Sequence, residues 1–170
     1  MSLSMPETTV RPIHRIAQEL AQSSGFLLAR LGMGFKTRAI ARAEEAGFEL
    51  YDYSVLAILA EGDRETQSTI AATMSLDPSR LVALLDSLEE RALIVRQRDP
   101  HDRRRHVVSI TAEGKQELVK LRAMIREVED EYFGPLDPEE RRLFHKLLLR
   151  LAVKNDPTCA GEDDAQTSVV

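Results

Sequence analysis

The chain has a single cysteine, Cys159, and it stands in a Pro/Gly/Asp-rich tail. An intrachain disulfide is therefore impossible, and a catalytic thiol fits that position poorly. No apolar run approaches the roughly 18–20 residues that a membrane span requires, so no membrane partner is expected. Met1 to Val10 lacks the charged and apolar regions of a secretory signal, and a cytoplasmic address is the resulting expectation. The histidines His14, His101, His106 and His145 are scattered; there is no HExxH and no paired CxxC. A nucleophile elbow and a phosphate-cradling glycine loop are also missing. No metal, no cofactor and no enzymatic activity are expected.

What is present reads as an ordinary folded protein. The chain is 170 residues long, 43% hydrophobic and 30% charged, which suits one domain or two closely packed lobes. Met1-Ser2-Leu3-Ser4 reads as an added leader, with Met5 as the natural start. The net charge of −5 argues at first against a nucleic-acid partner, because Lys and Arg supply much of the affinity for phosphates. Its distribution argues the other way. Arg91, Arg96, Arg98, Arg103, Arg104 and Arg105 face only two aspartates in the same stretch, a local excess of four positive charges. The acid gathers instead in Glu127 to Glu140 and in the tail.

Apolar residues at Ile13, Ile16, Leu20, Leu27, Leu31 and Phe35 mark one stripe of a helix running from Ile13 to about Ala46. Gly25, Gly32 and Gly34 each weaken such a helix by about 1 kcal/mol relative to Ala, so a kink or close packing is expected in its middle. Gly47 ends it. Tyr53, Leu56, Ala57 and Ala60 mark a second helix that stops at Glu61-Gly62-Asp63. Thr66 caps a short third helix through Met74. Asp77-Pro78 opens a fourth, since Asp accepts orphan amides and Pro at the first helical position has none to leave unpaired. Leu81, Leu84, Leu85 and Leu88 form its buried stripe, leaving Ser79, Arg80, Val82, Ala83, Asp86 and Ser87 to face outward.

The period then changes to two. Ile94–Arg98 and His106–Ile110 read as strands joined by a polar connection, a hairpin of wing type. Thr111 caps a long helix whose face holds Leu118, Leu121, Ile125, Val128 and Tyr132, and Gly134-Pro135 breaks it. Asp137-Pro138 begins a last helix with a strongly apolar face of Leu143, Phe144, Leu147, Leu148 and Leu151.

Two short helices joined by a tight turn are the helix-turn-helix pattern, whose second helix fits the roughly 12 Å wide major groove. The fourth helix is that element. Its amino-terminal amides favour a nearby phosphate, and Ser79 and Arg80 are placed to reach phosphate or base edge. Arg80 is the leading candidate for direct readout, while Val82 and Ala83 are short enough to lie against thymine methyls. Each of these also fits a plain solvated surface. Arg103, Arg104 and Arg105 form a cationic hairpin tip able to enter a narrow minor groove. Asp102 would be repelled by phosphates, so it is expected to orient an arginine, either Arg104 or one of the helix-turn-helix. Thr66, Gln67 and Ser68 are candidates for the DNA backbone.

Asp77-Pro78-Ser79-Arg80-Leu81 through Leu88-Glu89-Glu90-Arg91-Ala92-Leu93-Ile94 resembles the recognition helix of MarR regulators. Asp99-Pro100-His101-Asp102-Arg103-Arg104, followed by Val108-Ser109-Ile110-Thr111-Ala112-Glu113-Gly114, resembles their wing and its exit. Weaker likeness at Tyr53-Ser54-Val55-Leu56 and Thr66-Gln67-Ser68 extends the resemblance to about residues 13–153. The resemblance implies a homodimer whose first and last two helices interlock, two winged lobes on a palindromic operator, and repression relieved by a small ligand. It also implies that Asp102 and Arg104 form the functional pair of the wing. A small aromatic or anionic effector would then bind near Leu31, Phe35 and Tyr53, residues that equally fit core packing. Many members carry Ser or Thr and Arg where Val82 and Ala83 stand, Gly at Ala92 and a basic residue at Ser87. Fewer polar groups face the groove here, so greater reliance on the wing and on DNA shape is expected.

The expected architecture is mainly α with a small β-hairpin wing, a winged helix-turn-helix plus a helical dimerisation region. Residues 1–12 form a disordered leader, 13–47 an amino-terminal dimerisation helix and 48–112 the DNA-binding lobe. Residues 113–154 hold the carboxy-terminal dimerisation helices, and 155–170 a disordered tail. Terminal helices this greasy call for a partner chain. The competing reading is a degenerate winged-helix module that binds a protein rather than DNA.

Overall fold

The structure, a computed structural model, describes residues 15–62, 65–99 and 106–160. In chain order these form α1 (Gln18–Ala21), α2 (Ser24–Glu45), α3 (Leu50–Glu61), β1 (Glu65–Thr66), α4 (Gln67–Thr73), α5 (Pro78–Glu90), β2 (Ile94–Arg98), β3 (His106–Ile110), α6 (Ala112–Tyr132) and α7 (Pro138–Asn155), followed by a 3-10 turn, Pro157–Cys159. The chain divides into two units, residues 1–36 and 37–170. In the first unit the expected interruption falls at Gln22-Ser23, just ahead of Gly25, whereas Gly32 lies within an unbroken α2.

Helix starts follow the chemistry of their caps. The Thr66 hydroxyl accepts the Thr69 amide at 3.1 Å, the Asp77 carboxylate that of Ser79 at 2.8 Å and the Thr111 hydroxyl that of Gly114 at 2.9 Å. Asp137 accepts the amides of Glu139 and Glu140, and Glu140 reaches back to the Asp137 amide, closing a capping box. A second box, Glu49 with Asp52, starts α3 three residues ahead of Tyr53.

Three helix ends share one closure, in which the residue after the cap turns left-handed. Gly47 (φ 75°), Ser75 (φ 50°) and Ala92 (φ 57°) hold that position after α2, α4 and α5. In each case the following amide reaches back to a carbonyl five residues earlier: Phe48 to Ala43, Leu76 to Ala71 and Leu93 to Leu88, at 2.9–3.0 Å. Only glycine adopts this conformation without the steric cost of a Cβ, so Ser75 and Ala92 carry local strain.

The strands form a three-stranded sheet in the order β1-β3-β2. β2 and β3 pair antiparallel with Ile94 opposite Ile110, Arg96 opposite Val108 and Arg98 opposite His106. The sequence reading missed β1, which pairs Glu65 with Val108 and Thr66 with Val107; two residues are too few to show a period. One core gathers Val55, Leu56 and Leu59 of α3, Ile70 of α4, the α5 leucines, Ile94, Val108, and Leu118 and Leu121 of α6. The architecture is a mainly helical winged helix-turn-helix. None of the α7 side chains is buried.

Candidate nucleic-acid interface

The leucine stripe of α5 decides what this helix offers to solvent. Leu81, Leu84, Leu85 and Leu88 are all buried, so Ser79, Arg80, Val82 and Ala83 lie on the exposed side, Val82 at 42%. All four recognition-helix candidates thus share one outward surface. Their surroundings differ from what a bare sequence suggests. The Ser79 hydroxyl donates to the Asp77 carboxylate, which holds that carboxyl below its usual range and keeps an anion at the start of α5. A phosphate approaching the α5 amides would meet that charge. The Arg80 guanidinium lies over the Tyr51 ring of α3, 4.7 Å from its centroid.

Thr66, Gln67 and Ser68 sit where β1 passes into α4. The Thr66 hydroxyl is shared between the cap and the hydroxyls of Ser68 (2.9 Å) and Thr69 (2.7 Å), so its lone pairs serve the turn first. Ser68 is exposed and Gln67 half-buried.

Among the described arginines of the cationic stretch, Arg91 and Arg96 are engaged inside the lobe. Arg96 of β2 reaches Asp86 at 2.6 Å and Glu89 at 2.5 Å, and the Glu89 carboxylate also accepts the Arg96 amide. This pins the hairpin to the flank of α5 and holds the Glu89 carboxyl below its usual range. Arg91, at the end of α5, stacks on Phe48 at 3.9 Å and faces Asp52 at 3.5 Å. Asp52 is 2% exposed, one of its oxygens has no hydrogen-bond partner, and burial pushes its carboxyl above the usual range. Sequence counting missed this internal use, because Asp86 and Glu89 lie on α5 ahead of the strand and Asp52 lies in α3, two helices before Arg91. The wing-tip candidates Asp102, Arg103, Arg104 and Arg105 lie outside the described residues. The paired strands β2 and β3, which flank that segment in sequence, lie within.

The exit from the wing explains the Thr111-Ala112-Glu113-Gly114 motif. The Thr111 amide donates to the Leu93 carbonyl at 3.0 Å, and its hydroxyl donates to the Ala92 carbonyl at 2.8 Å. The backbone approach is so close that a Cβ on Gly114 would stand 2.1 Å from the Leu93 oxygen. The end of α5, the hairpin and α6 therefore meet in one tight joint.

Of the effector candidates, Leu31 is exposed, and Phe35 and Tyr53 are half-buried, Tyr53 against the core of the second unit. A cleft of about 380 Å³ elsewhere in that unit is walled by Phe48, Leu121 and Met124 and rimmed by Arg42, Glu117 and Lys120. None of the three candidates lines it. Among the described residues no group of three or more His, Cys, Asp or Glu side chains is arranged to hold a metal ion, and no helix is long and apolar enough to cross a membrane.

Residues 46–105 match the MarR family. A MarR-family transcriptional regulator from Rhodococcus sp. RHA1, solved by X-ray crystallography, is 32% identical; the alignment covers 83% of this chain and 98% of that one, with a TM-score of 0.71. CouR from Rhodococcus jostii RHA1, solved with p-coumaroyl-CoA bound, is 32% identical over 83% of this chain and 97% of its own, with a TM-score of 0.69. A structure of the transcriptional repressor CouR on a 23-mer DNA duplex aligns with a TM-score of 0.73. The regulatory protein proposed for the hcr operon of Thauera aromatica is 32% identical over 109 residues, which span 66% of its length.

Proposed function

The chain belongs to the MarR family of transcriptional regulators, and on that premise we propose that it binds double-stranded DNA as a homodimer on a palindromic operator, acting as a ligand-responsive repressor in the cytoplasm. The observation that carries this reading is the pairing of a groove-sized helix, its leucine face buried and its Ser79-Arg80-Val82-Ala83 face exposed, with an antiparallel hairpin pinned to its side. In this arrangement α5 enters the major groove, the residues 102–105 at the hairpin end reach the adjacent minor groove, and Thr66, Gln67 and Ser68 meet the backbone. Asp102 orients Arg104. Residues 48–112 form the DNA-binding lobe, and the helices on either side of it in sequence pair with those of a second copy. Exposed Leu28, Leu31, Leu143 and Leu151 support that pairing, since a partner would remove them from water. Repression and a small aromatic or anionic effector follow CouR, a transcriptional repressor solved on a DNA duplex and also solved with p-coumaroyl-CoA bound.

The test begins with selection of bound fragments from the host genome, followed by anisotropy titration at several salt concentrations. Recovery of a palindrome with half-sites about 34–36 Å apart, and affinity falling steeply with salt, is the expected outcome. Because α5 presents few polar groups, Arg104→Ala should weaken binding more than Arg80→Ala; the reverse ranking would refute wing-dominated recognition. A winged-helix module that binds protein is the second reading, favoured by the internal pairing of Arg91 and Arg96, which leaves a smaller cationic edge. Salt-insensitive or absent DNA binding would select it.

A further inference from the structure

The segment Phe48–Asp52, entering α3, touches α5 at both ends. At the far end Phe48 and Asp52 receive Arg91, which closes the helix. At the near end the Tyr51 ring, half-buried against the core, lies under the guanidinium of Arg80 at 4.7 Å. Arg80 is the one cationic side chain on the exposed face of α5. A long arginine on a first helical turn ordinarily samples many rotamers, and each must be given up when it meets a base edge. Stacking removes part of that freedom beforehand while leaving the in-plane N–H donors of the guanidinium at its rim, away from the ring.

We propose that Tyr51 is a positioning residue for DNA recognition: its ring holds Arg80 in the pose that meets the major groove. This rests on the reading of α5 as the recognition helix. Tyr51 does not touch DNA in this account; its effect on binding is exerted through Arg80. Its contribution therefore disappears when Arg80 is gone, which separates it from a residue that merely supports the packing of α3.

The experiment is a double-mutant cycle with the full chain and a fluorescein-labelled duplex carrying the palindrome recovered by genomic selection. The variants are Tyr51→Leu, which keeps apolar bulk but loses the aromatic face, Tyr51→Phe, which keeps the face, and Arg80→Ala. Tyr51→Leu should weaken binding about threefold to fivefold, the range of a partly exposed cation–π contact, and Tyr51→Phe should restore it to within about twofold. In the Arg80→Ala background Tyr51→Leu should change nothing further. An equal loss in both backgrounds, accompanied by a lowered melting temperature, would assign Tyr51 to packing and overturn the proposal. Tighter binding by Tyr51→Leu would overturn it in the other direction, showing that the ring withholds Arg80. If Arg80→Ala itself leaves affinity unchanged, the recognition-helix assignment fails first, an outcome distinct from either.

Discussion

Helices α5 and α7 are both leucine-rich, both open with an Asp-Pro cap and both read as amphipathic, yet the chain uses them in opposite ways. α5 buries its whole stripe, with Leu85 and Leu88 fully withdrawn from water. α7 buries nothing: Leu143 remains 58% and Leu151 54% exposed. α7 is nonetheless held in place at its start, where Arg141 pairs with Asp130 at 2.6 Å and Phe144 packs near Phe133 at 5.6 Å. The difference shows that an apolar face states a requirement for burial without stating who meets it. For α5 the requirement is met by α3, α4 and β2 of the same chain. For α7 each exposed leucine forgoes part of the roughly 1.5–3 kcal/mol that full burial yields, which a second copy would recover.

The sharpest way to break this contrast is to truncate one leucine on each helix. Leu85→Ala should cost about 2–5 kcal/mol of folding stability in a denaturant titration, because the cavity it leaves lies at the centre of the core. Leu151→Ala should cost far less in folding and should instead weaken self-association, read as a raised dissociation constant by sedimentation equilibrium. Equal losses of folding stability, with no change in association, would erase the distinction.

A smaller effect is expected at the joint that commits α5 to its surroundings. Gly114→Ala places a Cβ 2.1 Å from the Leu93 oxygen and 2.8 Å from Ile110 Cγ1, so α6 must move away from the turn after α5. A destabilisation of about 1–3 kcal/mol should follow, measurable by calorimetry. A neutral outcome would mean that the joint is looser than its geometry. The smallest effect runs the other way. Ala92→Gly relieves the left-handed strain at the end of α5 and should raise stability by up to about 1 kcal/mol, a shift of a few degrees in Tm. A lowered Tm would show that the Ala92 methyl contributes more than its backbone conformation costs.

Much of this fold was legible because its signals are local. The caps at Thr66, Asp77, Thr111 and Asp137, the stop at Gly47, the leucine stripe of α5 and the limits of β2 and β3 all depend on residues within a few positions of one another. What escaped was of longer range or lower count. β1 is two residues long and exists because β3 offers it an edge. The start of α3 at Leu50 depends on a Glu49–Asp52 box that hydrophobic spacing does not register. The candidate site was legible as a set of outward positions, since Ser79, Arg80, Val82 and Ala83 are what the leucine stripe leaves over. That Ser79 is drawn toward Asp77 and Arg80 toward Tyr51, while Arg96 is absorbed by Asp86 and Glu89, was not.

The order of amino acids by itself determined the caps that open α4, α5, α6 and α7, which face of each longer helix is greasy and where the chain changes from a period near 3.6 to a period of two. Cap hydrogen bonds and apolar periodicity act over one or two turns, so neighbours in sequence suffice to specify them. Tertiary structure alone decided which charges are spent holding α5 to the wing and to α3, that Gly114 must lack a side chain, and that the leucines of α5 find cover within the chain while those of α7 do not. Those outcomes depend on atoms brought within a few ångströms from distant positions, where the energy of a contact is set by distance and exposure rather than by residue type.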